Sequence, residues 1–92
     1  MKVSLAELEQ AARSLDVKVT YEDLKTSKGG SCRVMASRRI IINKHLPMND
    51  KVNLLARELG RFDLAALDLS DRVLKKIQHE SDHLQEPLKL SA

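Results

Sequence analysis

The segment QHESDHL, at positions 78–84, holds residue types whose spacing could support hydrolysis. His79 and His83 are four residues apart, so in a helix both imidazoles lie on one face and can hold Zn²⁺. Glu80, between them, could then act as a general base on a metal-bound water. One interpretation of this chain is therefore a zinc-dependent hydrolase in which Glu80 is catalytic.

A simpler interpretation of this segment follows from its helical geometry. At about 100° per residue, His79 and His83 point roughly opposite to Ile77, which belongs to the apolar face of the predicted helix. Their neighbours on that side are Arg72 and Lys75, and nearby cations disfavour a bound Zn²⁺. We therefore predict a charged, solvated helix end without bound metal.

The elements that must position these side chains can be predicted from hydrophobic periodicity. The pattern predicts a helix over residues 5–15 that opens with a capping box, strands over 17–22, 31–36 and 39–43, and helices over 47–62 and from 70 to about 85. Ser37 and Arg38 are expected to form the tight turn between the second and third strands. Pro87 is expected to stop the last helix, and the tail of residues 86–92 to fray.

This order of elements indicates the fold class. No linker divides the chain, so we expect a single α+β domain over residues 1–92, with a three-stranded antiparallel sheet and helices packed on one face. The strand of residues 39–43, RIIIN, is expected to be the most buried. The strand of residues 17–22 is expected at a sheet edge, and pairing of two such edges would make a homodimer.

The composition argues against some classes of function. The chain has 92 residues, one Tyr, one Phe and no Trp, so it has one modest core and no stacking platform for bases. A net charge of +3 without a basic block argues against a dedicated nucleic-acid binder. The single cysteine and the lack of a long apolar run favour a cytoplasmic location away from membranes.

The predicted hairpin carries a cysteine that could be a reactive thiol. Strand alternation places Cys32 inward with Val34 and Ala36, where it would be a small core residue. The same alternation turns Arg33 outward with Met35. We therefore expect a buried cysteine rather than a nucleophile.

Basic side chains are concentrated on and after this hairpin: Arg33, Arg38, Arg39, Lys44 and His45. Such a surface could bind an acidic protein, a phosphate or RNA. The plainer alternative is a solvated sheet face. Arg33, Arg38 and Arg39 are our candidate binding residues.

The middle of the chain resembles a group of small uncharacterised bacterial proteins. The shared segments are GGSCRV at 29–34, IIINKHLP at 40–47, KVNLLAREL at 51–59 and FDL at 62–64. The resemblance covers about residues 17–75 and implies no particular activity.

A second resemblance concerns the segment ARELGR, at positions 56–61. It is similar to the Ala-His-Glu-Leu-Gly-His helix of minimal zincin peptidases, which also follows a hairpin. Arg57 and Arg61 occupy the two histidine positions, and a guanidinium cannot give a lone pair to zinc. The resemblance implies a relative that has lost its usual metal site. The alternative is that both arginines form the solvated face of an amphipathic helix.

A third resemblance concerns QHESDHL itself, which is similar to the QHExDHL helix of peptide deformylases. A cysteine supplies the third metal ligand in that family, so the resemblance would assign Cys32 beside His79 and His83. The Glu-Gly-Cys-Leu-Ser segment and the Gly-rich N-terminal motif of the deformylases are both missing from this chain.

These observations lead to one principal hypothesis and two alternatives. We predict a non-catalytic cytoplasmic protein-interaction module without a cofactor. The sequence does not identify its protein partner. The first alternative is a zinc-dependent hydrolase that uses His79, Glu80 and His83, with Cys32 as a further ligand. The second is a weak nucleic-acid binder that uses the basic hairpin.

Overall fold

The computed structural model describes the backbone of residues 3–65 and 67–91, with the side chains of Val34 and residues 82–91 outside the description. In chain order the elements are α1 (Leu5–Ser14), β1 (Val17–Glu22), β2 (Gly29–Val34), β3 (Ser37–Asn43), α2 (Met48–Leu59) and α3 (Asp71–Ser91). This order confirms the predicted α+β fold. Within the described residues, no helix has the length and apolar character needed to cross a membrane.

The three strands form a mixed sheet in the order β1-β3-β2, so the predicted antiparallel sheet is wrong for one of its two strand pairs. β3 is antiparallel to β2 but parallel to β1. The cause is the apolar content of β3, in which Ile40 and Ile42 are fully buried, because a central strand loses more contact with water than an edge strand. Residues 23–28 carry the chain past β3, and β1 forms an edge, as predicted.

The turn between β2 and β3 consists of Met35 and Ala36, not of Ser37 and Arg38 as predicted. Val34 is the partner of Ser37 in the ladder, and Met35 has a φ of 57°. A two-residue hairpin loop with positive φ at its first position matches the twist of the strands. The segment contains no glycine or asparagine that would mark this position in the sequence, which explains the error.

Cys32 lies on the sheet face away from the helices and is exposed, so the prediction of a core cysteine is wrong. β3 turns Ile40 and Ile42 toward the helices, because this orientation removes two isoleucines from water and the opposite one removes only Ile41. Cys32 is the partner of Arg39, so both lie on the other face. We call this side of the sheet the open face, since the described helices pack on the side of Ile40.

The core lies between the inner face of the sheet and the helices. α1 and α2 pack on the sheet, and α3 packs mainly against α2. The largest fully buried side chains are Leu8, Ile40, Ile42, Leu55, Leu59 and Ile77. The core consists of aliphatic side chains because the chain has only two aromatic residues, one Tyr and one Phe.

α1 begins with the predicted capping box. The N–H of Glu7 donates to the hydroxyl of Ser4 at 3.3 Å, and the N–H of Ser4 donates to Oε1 of Glu7 at 3.0 Å. Glu7 also accepts hydrogen bonds from Nη1 and Nη2 of Arg72 at 3.0 and 2.5 Å. The hydrogen bond from Arg72 is the main cause that lowers the pKa of Glu7 to about 2, and it ties the start of α1 to the start of α3.

α2 and α3 approach closely just after α2 ends. A methyl group at Gly60 would overlap Cβ of Ser81, which is buried in α3. Gly60 has a φ of −65°, so its backbone does not require a glycine. Position 60 requires a residue without a side chain because α3 packs directly against it.

The backbone of α3 continues to Ser91, so the helix does not stop at Pro87 as predicted. A proline inside a helix removes one backbone hydrogen bond but need not end the helix when the turns on both sides continue. The predicted fraying of residues 86–92 stays a prediction.

Candidate functional site

Four arginines lie at the end of the molecule where the hairpin meets the last turn of α2. We call Arg33, Arg38, Arg57 and Arg61 the arginine end. α2 follows β3 after a short connection and packs on β3 and β2, so its last turn returns to the start of β3. The guanidinium of Arg38 lies over the ring of Phe62, 5.4 Å from its centre, which places the start of β3 beside the residue after Arg61.

Two of these arginines carry positive charge that nothing in the described residues neutralises. Arg33 and Arg38 are directly opposite each other in the antiparallel ladder, and both are exposed. Like charges in this arrangement repel each other. Among the described residues neither forms an ion pair with a carboxylate.

Arg33 does not face outward with Met35 as predicted. Arg38 is two residues before Ile40 in β3, so it lies on the same side of the sheet as Ile40, the helix side. Its partner Arg33 lies on that side too. Arg39 lies on the open face instead, and its Nε is buried without a hydrogen-bond partner in the described part of the chain. The three candidate binding residues of the hairpin therefore do not form one surface: Arg33 and Arg38 share a side and Arg39 does not.

Lys44 and His45, which the sequence places near these arginines, lie at the opposite end of β3. His45 Nε2 is 3.7 Å from a carboxylate oxygen of Asp23. The seven residues of β3 separate them from the hairpin turn. They do not belong to the arginine end.

The segment ARELGR forms a compact ionic cluster. Glu58 is buried, with 4% of its surface exposed. Nε of Arg61 lies 2.9 Å from one carboxylate oxygen, and Nε of Arg57 lies 3.8 Å from the other. The longer distance is an ionic contact without a hydrogen bond, and Nε of Arg57 is indeed buried without a hydrogen-bond partner among the described residues.

The chemistry of this cluster differs from that of a metal-binding helix. Guanidinium groups donate hydrogen bonds and cannot coordinate zinc, and the carboxylate of Glu58 accepts from one of them. Arg57 and Arg61 are partly exposed, with side-chain exposures of 37% and 49%, so the alternative of a solvated helix face applies to the two arginines but not to Glu58. The arrangement holds cations at the protein surface, which is suited to binding anionic groups.

The residues of the HESDH motif are only partly brought together. Glu80 accepts a hydrogen bond from Nζ of Lys76 at 3.1 Å, and the same Nζ donates to Oδ1 of Asn53 at 2.7 Å. His79 is exposed on α3. The side chain of His83 lies outside the described residues, so its role as a ligand stays a prediction.

The structure does not bring Cys32 to His79. Cys32 lies on the open face of the sheet, whereas α3, which carries His79, packs on α2 on the opposite side. The sheet and a helical layer separate the two residues. In the part of the chain with described side chains, no three His, Cys, Asp or Glu residues are grouped so that they could hold a metal ion.

His79 instead borders an open groove of about 910 Å³ between the three helices. Apolar side chains from α1 and α2 form part of its lining, including Leu5, Met48 and Val52. The residues from α3 are basic or titratable: Arg72, Lys75, Lys76 and His79. This groove is a second cationic region, but Glu7 and Glu80 pair with two of its cations.

Both aromatic rings of the chain are already in contact with cations. Phe62 lies under Arg38, and Lys51 lies 5.8 Å from the centre of the Tyr21 ring. The hydroxyl of Tyr21 donates to Glu9. Burial is the largest cause that raises the pKa of Tyr21, and this hydrogen bond is the next. Neither ring is presented as a free stacking surface.

The burial of Glu58 is the feature of this site that we did not predict from the sequence. At about 100° per residue, Glu58 falls between Leu54 and Leu55 on the helical wheel, inside the apolar face. An acid at such a position, followed three residues later by Arg61, is the signal that could have indicated a buried ion pair.

No protein-family model matches this chain, and no similar protein was found among curated sequences or among solved structures.

Proposed function

We propose that this chain is a non-catalytic protein-interaction module that binds an acidic surface of a partner protein through its arginine end. The observation that supports this proposal best is the pair Arg33 and Arg38, which lie side by side and exposed without a carboxylate partner in the described residues. An incoming carboxylate would relieve their mutual repulsion and could form a bidentate pair with a guanidinium.

The buried Glu58 supports the same proposal. By pairing with Arg61 and Arg57 it holds two long side chains in place, and ordering these side chains in advance lowers the entropic cost of binding. One carboxylate among four arginines leaves this end with an excess of positive charge, which would steer an acidic partner toward it.

A protein partner is favoured over a nucleic acid by the aromatic residues. Single-stranded nucleic acids are bound by stacking bases on aromatic rings. Here the ring of Phe62 is occupied by Arg38 and that of Tyr21 by Lys51. A cytoplasmic location is part of the proposal, since an exposed thiol such as that of Cys32 fits a reducing compartment.

The test compares two anionic probes, a 20-residue poly-L-glutamate and a single-stranded RNA of similar charge. Binding of each is measured by fluorescence anisotropy of the labelled probe at low and at physiological salt. We expect poly-L-glutamate to bind with a salt-dependent affinity, and the double variant R33E/R38E to weaken it by about tenfold or more, which corresponds to about 1.4 kcal/mol.

The matched control is K28E/K44E, which makes the same change of charge at two exposed lysines outside the arginine end. It should leave the affinity for poly-L-glutamate within about threefold of that of the unmodified chain. Equal losses in both double variants would mean that only net charge matters and would overturn the proposal. Tighter binding of RNA than of poly-L-glutamate would favour the nucleic-acid alternative.

The zinc alternative is tested on the same preparation. Elemental analysis of protein purified without chelators should find less than about 0.2 zinc per chain, because a tetrahedral site would hold one ion. A full equivalent of zinc that is lost in H79A/H83A would support the hydrolase alternative in place of the present proposal.

A further inference from the structure

The outer edge of β1 is the starting point for an inference beyond the arginine end. β1 pairs with β3 on one side only, and no other described strand lies along its outer side. An edge strand presents a row of unpaired N–H and C=O groups that another strand can use. Thr20, Lys18 and Glu22 lie on the open face, where no described helix covers them.

One backbone hydrogen bond shows which residues of β1 point their N–H and C=O groups away from β3. The N–H of Lys44 donates to the carbonyl of Glu22 at 2.9 Å, so the backbone groups of Glu22 point toward β3. Because a strand alternates, those of Thr20 and Lys18 point the same way. The outward groups therefore belong to Val17, Val19 and Tyr21.

This alternation limits how a second copy of β1 can pair with the first. In an antiparallel pair, outward residues must lie opposite outward residues, where they exchange both hydrogen bonds. A two-fold axis can then pass through Lys18, Val19, Thr20 or Tyr21. These registers place different side chains opposite each other on the open face.

The charges of β1 distinguish these registers. An axis at Lys18 places the two Lys18 side chains opposite each other, a like-charge pair. An axis at Thr20 places Lys18 of each copy opposite Glu22 of the other, which makes two opposite-charge pairs. An axis at Val19 places Lys18 opposite Thr20 and leaves Glu22 beyond the end of the other copy's β1, so it makes no opposite-charge pair. An axis at Tyr21 leaves Lys18 without an opposite charge. Cross-strand pairs of opposite charge stabilise a sheet, and like charges destabilise it.

From these observations we infer that two copies of the chain form a symmetric homodimer by antiparallel pairing of their β1 strands, with the two-fold axis at Thr20. Val19 of each copy exchanges both backbone hydrogen bonds with Tyr21 of the other, which gives about four such bonds. The Lys18–Glu22 pairs occupy positions without backbone hydrogen bonds, where side chains are closest. The partner is a second copy of this chain because the edge is complementary to itself.

The inner face of β1 is compatible with this arrangement. Val19 and Tyr21 are only partly buried by the helices, so their remaining apolar surface would be covered by the second copy. α1 packs over β1, and the two α1 helices would become neighbours across the axis. The result is a continuous six-stranded sheet, which removes two of the four sheet edges of the separate chains.

The dimer does not depend on the proposed function. Arg33 lies on β2, at the sheet edge that the dimer leaves unpaired, and Arg38 lies on the central strand β3, so neither arginine is part of the paired β1 edge. Pairing through β1 and binding of an acidic protein can therefore succeed or fail separately.

The experiment uses charge reversal and its rescue. The molar mass of the 92-residue chain is measured by light scattering and by sedimentation over a dilution series that ends at about 200 µM, with a reductant present to keep Cys32 reduced. The variants are K18E, E22K and the double variant K18E/E22K, with K28E as a control for a single charge change. Circular dichroism verifies that each variant is folded.

We expect the unmodified chain and K28E to reach the mass of a dimer. K18E and E22K each create two like-charge pairs and should weaken dimerisation by about tenfold or more. The double variant restores opposite charges with the positions exchanged, and should dimerise within about threefold of the unmodified chain.

Two results would overturn the inference. A mass of one chain at every concentration would exclude the dimer, and a folded double variant as monomeric as the single variants would exclude this register. Binding of poly-L-glutamate by monomeric K18E, with unchanged affinity per chain, would show that the dimer inference and the proposed function rest on different surfaces.

Discussion

At the level of single residues, the most informative side chain is Glu58. A buried carboxylate is costly unless it is paired, and here Arg57 in α2 and Arg61 in the turn after it supply the pairing. The same spacing that resembles a metal helix thus serves an ionic cluster. The chemistry differs because guanidinium groups can only donate hydrogen bonds.

We predict that Arg61→Ala lowers the free energy of unfolding by about 1–3 kcal/mol. The variant would leave Glu58 buried with only the 3.8 Å contact to Arg57. Urea unfolding followed by circular dichroism measures the change. Arg33→Ala is the matched control, and because Arg33 is exposed and unpaired in the described residues it should change stability by less than about 0.5 kcal/mol. Equal effects of both substitutions would contradict the structural role of Glu58.

A second prediction at this scale concerns Glu7 and pH. Its pKa in the folded protein is about 2, below the ordinary value of 4.5. The folded state therefore favours the ionised form, so the contribution of Glu7 to stability is complete above pH 4.5 and is lost as the pH falls toward 2.

The measurement is the urea midpoint of the unmodified chain and of Arg72→Ala between about pH 6 and pH 2. Arg72→Ala removes the main cause of the lowered pKa, so it should be less stable at pH 6 and should approach the unmodified chain as the pH falls. A constant difference between the two proteins over this range would show that Glu7 is not the group responsible.

At the level of the elements, the contact of α2 with α3 depends on a small residue. We predict that Gly60→Ala destabilises the fold by about 1–3 kcal/mol, because the added methyl group would overlap Ser81 and force the helices apart. The φ of Gly60 is −65°, so alanine suits its backbone and the loss would come from packing alone.

The matched control for this prediction is Gly30→Ala. An added methyl group at Gly30 meets no atom within 4 Å, so the free energy of unfolding should stay the same or rise by a few tenths of a kcal/mol. Thermal unfolding of both variants measures the difference. A neutral Gly60→Ala would mean that α3 does not press on this position.

The sheet illustrates a different property of elements. Each strand was predicted from its own alternation, and all three are present with ends shifted by at most two residues. Their pairing was not predictable in the same way, because the strand that buries the most apolar surface became the central one. With β3 in the centre, β1 is parallel to β3 and Cys32 lies on the open face.

At the level of the whole molecule, the two sheet edges carry different chemistry. β1 has Lys18 and Glu22 two positions on either side of Thr20, and is complementary to itself. β2 carries Arg33, which lies opposite Arg38 of β3, and the charges of these two arginines repel a second copy and favour an acidic partner. A dimer through β1 would present two arginine ends and could bind a repeated acidic partner with higher avidity.

Part of the fold and of the site follows from local sequence. The capping box of α1, the edge position of β1 and the burial of the isoleucine strand were predicted correctly, since each depends on neighbours in the chain or on its own apolar content. That Arg57 and Arg61 offer no lone pair to a metal is likewise a property of the residues alone.

The remaining features were decided by tertiary structure. Which strand is central, which face of the hairpin is buried, and which arginines share a side depend on how strands far apart in sequence pair, and alternation is compatible with more than one answer. The burial of Glu58 and the hydrogen bonds that Arg72 donates to Glu7 likewise require elements to be packed. The sequence by itself determined the elements and the chemistry of the side chains; only the packing of the sheet and helices determined which of those side chains meet.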